Sequence, residues 1–564
     1  MRRFLLMLVV SLVLLPAGSR ADDSYERQLN RGIRDSDAYG YVLLTEARGN
    51  RAEATTILKK AALYAPDLPA VYFALAKARF SFSRSGILES VDYTIEGIDA
   101  YLRNFFWSFS LAASVYFSLL GSFLLAFVCI IVIRLFSDMK LISHDVAEGN
   151  LSPLLLLGLV IVSLCGPLFF LAGMLIFLGI YMKKMDRAAV YLYLLFLVFS
   201  PLVFHQASFF LNALSSGGFR AVVQVNASQG NRYALAVLDR AEDSEGRFSY
   251  ALALKREGRY DEAVAVYEKL LETRPAPRVY VNLGNCYVGL YDFAERRRHF
   301  LDEAVKSYEA AIAIRPLASA YYNLSQVSRE KIDFAAGNDY FKSALALDRD
   351  AVAEYSSYFA RTPDRFVVDE TLTRGDLWQY AGKKAGGAST FGTTVLPLPA
   401  VTFAGLLLLL IFYAILKRMK RKAYRCRKCK TVLCPGCEKR VMWGQLCPQC
   451  YGSLVKLDEL DVKERVARLL AIYDKQRRRS STLRVLSFTV PGFAHVFAGR
   501  VLLGLFFLWP FLFCVMLPLA PRVFITESAL FSHDLLRIVS WFCAGIIYVV
   551  SNFITRGRLL RGWL

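Results

Sequence analysis

Long uncharged apolar runs alternate with amphipathic blocks along this chain. Residues 104–133 carry no charge, and residues 151–182 form a second charge-free run, stopped by Lys183-Lys184-Met185-Asp186-Arg187. Further apolar runs occupy 188–204, 400–416, 501–520 and 538–555. At ~1.5 Å per helical residue, about 20 residues cross a ~30 Å hydrocarbon core. Each of these runs therefore predicts a membrane helix. The 151–182 run would be about 48 Å long as one straight helix, and it contains the breaker pair Gly166-Pro167. It is expected to fold as a hairpin of two short helices. The blocks 22–103 and 207–381 instead show apolar positions at helical spacing.

The first residues have a different order. Arg2-Arg3 precede the apolar stretch 4–15, then Pro16 and the small-residue sequence Ala17-Gly18-Ser19-Arg20-Ala21. A charged, then apolar, then small-residue order predicts a secretory signal peptide over 1–21. Residue 22 then starts outside the cytoplasm. With a hairpin at 151–182, parity places 22–103 and 207–395 outside and every basic cluster inside, as the positive-inside rule requires.

Charge distribution agrees with that parity. The formal net charge is +21, yet 207–394 has 24 basic and 24 acidic residues. Segment 417–484 has 20 basic residues against 6 acidic ones. The excess therefore follows topology. Anionic lipid contact is expected at 417–430 and 475–484, which adjoin the inner leaflet, and nucleic acid is disfavoured.

The 207–381 block contains a ladder of small, large, small and breaker residues. Ala263-Tyr267-Leu270-Pro275 and Ala304-Tyr308-Ala311-Pro316 carry it, and Gly337-Phe341-Ala344-Arg349 repeats it without proline. Ala54-Leu58-Ala61-Pro66 and the weaker Ala234-Leu238-Ala241 are related copies. The spacing puts these residues on one helical face, where small side chains let a second helix approach. Proline stops each helix because it lacks an N–H and clashes with the preceding turn. The preceding helices read Tyr280-x2-Leu283-Gly284-x2-Tyr287 and Tyr321-x2-Leu324-Ser325-x2-Ser328, and Gly258-Arg-Tyr260 marks a turn. In these residues the chain resembles the tetratricopeptide repeat (TPR) family, whose units are ~34-residue helix–turn–helix pairs. The resemblance covers about 210–352 and roughly 35–100. It implies an α-solenoid whose concave groove binds partner proteins. Ala304 to Gly337 is 33 residues, but Ala263 to Ala304 is 41. The excess predicts a longer helix pair or a projecting basic turn around Arg296-Arg297-Arg298.

Six of the 11 cysteines form three Cys-x2-Cys pairs: Cys426/Cys429, Cys434/Cys437 and Cys447/Cys450. Each pair can supply two thiolates to one tetrahedral ion, and a reducing compartment favours metal over disulfides. Zinc in a structural role is expected; iron–sulfur and redox uses are the alternatives. Cys426/Cys429 with Cys447/Cys450 has the spacing of a zinc ribbon, and Cys434/Cys437 is the alternative pair. The stretch Arg425-Cys426-Arg-Lys-Cys429-Lys430 through Cys447-Pro-Gln-Cys450 is similar to the distal part of a FYVE-type finger. That family interleaves its pairs, which implies the same cross-pairing.

Residues 455–484 read as a basic amphipathic helix, and Pro491-Gly492-Phe493-Ala494-His495-Val496-Phe497-Ala498-Gly499 resembles a short glycine motif that precedes the first helix of some paired-helix membrane domains. There is no His-Glu-x-x-His, no Gly-x-Ser-x-Gly and no phosphate loop. The expectation is a mainly α protein that is not an enzyme: polytopic membrane helices, an α-solenoid (TPR) array and a small zinc-binding module. The divisions are signal peptide 1–21, N-terminal repeats 22–103, membrane helices 104–206, repeat array 207–381, linker 382–399, membrane helix 400–416, zinc module 417–454, basic helix 455–484 and two membrane helices in 485–564. The expected setting is a bacterial inner membrane, with the repeats periplasmic and the zinc module cytoplasmic. The expected function is a scaffold binding a protein partner through the TPR groove. A membrane enzyme or transporter and a transmembrane sensor acting through the zinc module are the alternatives.

Overall fold

The computed structural model describes residues 33–561 apart from 51, 149–152, 228–231, 294–296, 362–366, 387–396, 419–422, 427, 435–445, 449, 452–461 and 521–533. The 1–21 segment lies outside the described residues. Among them the chain is mainly α-helical, with one two-stranded sheet. It divides into two compact units, Met1–Ser110 with Leu211–Gly386, and Leu111–Phe210 with Gly387–Leu564.

The first unit is built from helix pairs. Asp37–Gly49 packs on Ala54–Tyr64, and Pro69–Arg79 on Arg84–Arg103. Four further pairs follow: Gly217–Asn226 with Arg232–Leu238, Ser244–Arg256 with Tyr260–Thr273, Pro277–Phe293 with His299–Ile314, and Ala318–Glu330 with Phe334–Leu347. Arg349–Arg361 follows the last pair. The ladder residues form the core of the stack: Ala263, Tyr267, Ala304, Tyr308 and Ala311 are fully buried. Tyr308 lies across Gly284, where a Cβ would come 2.6 Å from its ring. That close approach is why a glycine stands opposite the large ladder residue. Leu270 and Ala344 complete the ladder, and Ala61 does the same in the N-terminal pairs.

The turn within the second of these four pairs uses Gly258 at φ +79°, a left-handed conformation glycine adopts without steric penalty. The same turn position of the fourth pair is held by Ile332 at φ +68°, five residues before Gly337 as Gly258 is five before Ala263. Longer helices take up part of the wider spacing of the third repeat, and residues 294–296 of the turn expected to be basic lie outside the described residues. The helices of this repeat have 17 and 16 residues, where the following pair has 13 and 14.

In the second unit, four helices are long and apolar enough to cross a membrane: Phe105–Ala147, Arg187–Ser215, Pro399–Arg418 and Leu536–Leu560. Two of them, Phe105–Ala147 and Arg187–Ser215, begin or end in the first unit. The 151–182 run contains two helices, Pro153–Leu164 and Pro167–Gly179, separated at Gly166 with φ +128°. They pack side by side, for a Cβ on Gly173 would lie 3.6 Å from the Leu159 carbonyl. Phe127, Ile130, Phe169, Leu175, Tyr193 and Phe412 meet in the core of this unit. Leu125, Val132, Phe136, Phe403 and Leu410 face outward. An apolar exterior over a helical interior is what a lipid solvent selects.

Three helices extend beyond the runs and blocks read from the sequence. The first membrane helix does not stop near residue 133 but continues to Ala147. Residues 137–147 contain no glycine or proline, and Arg134, Ser137, Asp138, Leu141 and Asp145 recur on one buried helical face. The polar character of 137–150 thus marks an interior polar face rather than a loop. The Arg187–Ser215 helix likewise runs past residue 206, and the Arg374–Ala385 helix runs past 381. Of the apolar helices after residue 485, Val501–Met516 is the shorter, with 16 residues.

Candidate functional site

Two places in the molecule gather functional chemistry. The first lies on the repeat stack. After the Arg349–Arg361 helix, residues 367–373 run as extended chain across the first helices of all four pairs. Asparagine side chains hold the backbone of this strand. Asn323 accepts from the Val368 amide at 2.7 Å and donates to the Val368 carbonyl at 2.9 Å. Asn282 accepts from the Glu370 amide at 2.8 Å and donates to the Glu370 carbonyl at 2.9 Å. Asn285 donates to the Val368 carbonyl at 2.8 Å, and Asn226 accepts from the Leu372 amide at 2.7 Å. A carboxamide has one acceptor and two donors, so it can match both groups of an extended residue at once. All four asparagines are buried.

The ladder tyrosines help aim these amides. The Tyr308 hydroxyl donates to Asn285 Oδ1 at 2.8 Å, and Asn282 donates to the Tyr267 hydroxyl at 3.3 Å. Asn226 is held by the Val222 carbonyl at 2.8 Å and Ser249 Oγ at 2.9 Å.

Side chains of the strand are read as well. Asp369 pairs with Lys255, their side chains 4% and 10% exposed, and also accepts from Asn285 at 2.9 Å. Ser319 donates to Glu370 at 2.5 Å. Val367 enters the core formed by Val281, Tyr291, Ala304 and Leu324, and Leu372 is buried at the other end. The strand then passes into the Arg374–Ala385 helix, opened by a capping box between Thr373 and Asp376. That helix is fixed by Arg278 to Asp376 at 2.6 Å, Lys383 to Glu245 at 2.6 Å and Lys384 to Asp243 at 2.7 Å. Burial raises the Asp243 carboxyl, but hydrogen bonds from Lys384 and the Gly246 amide outweigh it and hold the group below the usual carboxylate range.

The second place is the cysteine cluster. Tyr424–Arg425 and Val432–Leu433 pair antiparallel, and the loop between them turns at Cys426 and Cys429. The Cys426 amide donates to the Thr431 carbonyl at 2.8 Å, and Lys430 takes φ +59° to close the turn. Cys426, Cys429, Cys447 and Cys450 are buried, with all four Sγ atoms within 4.8 Å of one another. The Cys429 and Cys447 sulfurs are 3.6 Å apart. A tetrahedron of ~2.3 Å Zn–S bonds has edges of about 3.8 Å, so these four thiols have the dimensions to hold a metal ion. Backbone amides also point at sulfur: Cys447 N donates to Cys426 Sγ and Cys450 N to Cys447 Sγ, each at 3.3 Å. Such bonds stabilise ligating thiolates. Burial raises the Cys429 thiol, yet hydrogen bonds from Thr431 and its cysteine neighbours bring it down to about 6.

Cys434 does not join this group. Its sulfur lies within 4.8 Å of ligand atoms of His144 and Asp145, and Cys437 is outside the described residues. The cysteine hairpin is mounted on the polar face of the first long helix. Both Asp145 oxygens accept from the Ala423 amide at 3.2 Å, and Arg425 bonds the Ser137 carbonyl and Asp138. The same face holds the glycine motif: Ser137 donates to the Phe497 carbonyl at 3.0 Å and Arg134 to the Val496 carbonyl at 3.4 Å. Gly492 takes φ +91°, and a Cβ placed on it would come 2.4 Å from the Gly504 carbonyl oxygen, which leaves no room for a side chain. The basic helix observed here is Val462–Thr489, and its Ile472 packs on the cysteine cluster.

The groove asparagines and the 367–373 strand were not identified from the sequence. One signal was present: Asn282 and Asn323 each stand immediately before the signature leucine, in Asn282-Leu283 and Asn323-Leu324. A polar residue in the same register of successive repeats marks a position facing a common partner.

Comparison with curated proteins found no match. Residues 228–328 match the family model Tetratricopeptide Repeats-Sensor, TPR-S, which supports a repeat array of the tetratricopeptide type with an interaction or sensing role.

Proposed function

We propose that this chain is a membrane-embedded scaffold that recognises a partner protein through the groove of its repeat array, and that it is not an enzyme. The observation that supports this best is the set of asparagines from three of the four repeat pairs, which bond an extended peptide backbone independently of its side chains. Such a groove is a peptide-binding surface by construction. The match to a repeat sensor family over 228–328 points the same way. In this reading the four cysteines hold a structural zinc ion, with Cys426 and Cys429 from the hairpin and Cys447 and Cys450 from the following turn. The repeats face the periplasmic side of a bacterial inner membrane, and the zinc module with its basic flanks faces the cytoplasm against anionic lipid.

The test is copurification after gentle crosslinking, comparing the whole chain with one lacking residues 207–395. Specific partners should disappear with the deletion. Retention of every partner by the shortened chain overturns the reading. Sidedness is tested by reporter fusions at residues 185, 300 and 440, expected inside, outside and inside.

A second reading, a transmembrane sensor, is favoured by one observation. The helix that carries the polar mount for the cysteine hairpin is continuous from Phe105 to Ala147. It predicts that Cys426→Ser alters signalling while membrane insertion is retained.

A further inference from the structure

The groove is already filled. Residues 367–373 belong to the same chain, tethered between the Arg349–Arg361 and Arg374–Ala385 helices. They make backbone bonds at Val368, Glu370 and Leu372, every second residue, as an extended ligand must. We propose that this strand is a displaceable internal ligand, and that the groove's external ligand is an extended segment of a partner protein with the same pattern, aliphatic-x-acidic-acidic-x-aliphatic. This rests on the reading of the array as a peptide-binding groove and names both its ligand class and its regulation.

The pattern follows from the contacts. The outer aliphatic positions are those of Val367 and Leu372, both buried in the stack. The central pair is acidic because Lys255 and Asn285 meet Asp369 and Ser319 meets Glu370. Lys255 is a largely enclosed cation whose carboxylate partner is supplied by the strand. A groove without any strand would leave that cation without its carboxylate and the asparagine carboxamides without the strand groups they bond, which is costly. Exchange of one acidic strand for another is therefore favoured over a vacant groove. Tethering gives the internal strand an effective concentration in the millimolar range. An outside peptide must outcompete it, so the resting protein is closed to weak ligands and open to a partner that presents its strand at high local concentration.

The test uses the full chain in detergent or nanodiscs and a fluorescent peptide copying residues 367–374. The wild-type chain should bind this probe weakly. Val368→Pro with Glu370→Pro removes two strand amides that donate to Asn323 and Asn282, and should tighten binding at least tenfold with helix content unchanged by circular dichroism. Asp369→Ala, which keeps every strand backbone bond but takes the carboxylate from Lys255, should fall between the two. Adding Asn282→Ala to the released chain should abolish the gain, and a probe with its aspartate replaced by alanine should bind the released chain at least tenfold more weakly. Equal binding by wild type, Asp369→Ala and the double-proline chain overturns the internal-ligand proposal. A released, folded chain that binds no probe overturns it too and makes the strand a permanent strap. Neither result touches the crosslinking outcome, which depends only on whether partners require residues 207–395.

Discussion

The repeat groove and the cysteine cluster solve the same problem, holding a guest with buried polar groups, over very different sequence distances. The four thiols of the cluster come from one stretch, Cys426 to Cys450, and the guest they could hold is an ion of fixed geometry. The groove takes Asn226, Asn282, Asn285 and Asn323 from three helices far apart in the chain, and its guest is a strand whose Leu372 lies 146 residues from Asn226. One site is specified by local spacing. The other is specified only once the stack exists, because stacking brings the asparagines into line.

That contrast can be broken or sharpened by substitution. The largest effect is expected at Cys426→Ser. A structural zinc site contributes on the order of 10 kcal/mol to a small domain. Bound zinc measured by elemental analysis should fall by more than about tenfold, and the Tyr424–Leu433 hairpin should lose protection. Undiminished zinc would remove Cys426 from the ligand set. Next is Lys255→Ala, which strips a largely enclosed ion pair of one partner. About 3–5 kcal/mol should be lost, read as a lower thermal midpoint together with proteolytic exposure of 367–373. A variant that melts like wild type would show the pair to be dispensable.

Asn323→Ala comes third. It leaves the Val368 amide without the Asn323 acceptor, and takes one donor from its carbonyl, at about 1–3 kcal/mol for the buried group. Smallest, and opposite in sign, is Ile332→Gly. A β-branched residue at φ +68° is strained, and the corresponding turn already uses Gly258. Relief should raise stability by about 1 kcal/mol, seen as a higher melting temperature. A decrease would mean that the exposed isoleucine packs on something that outweighs its backbone strain.

The same contrast explains what the sequence disclosed. Apolar runs, the small–large ladder and the Cys-x2-Cys pairs are patterns within a few turns of chain, and each is visible in a single pass. The ladder residues Tyr267 and Tyr308 are packing residues, as their spacing suggests, yet their hydroxyls also aim Asn282 and Asn285. That second role depends on neighbours from other helices. The polar stretch after residue 133 misled for a related reason. Asp138 and Asp145 look like loop residues until the partners that bury them, Arg134, Arg425 and the Ala423 amide, are placed beside them. The strand at 367–373 carries no helical or repeat periodicity, and its meaning comes entirely from the groove it crosses.

The most direct measurement is amide hydrogen exchange, resolved to single residues, across 367–373 in the full-length protein. Val368, Glu370 and Leu372 should exchange at least about 100-fold more slowly than in a free peptide. Asn282→Ala should release Glu370 while leaving Leu372 slow. Free-peptide exchange at all three amides in the wild-type chain would contradict the account, for the asparagines would then have no strand to hold.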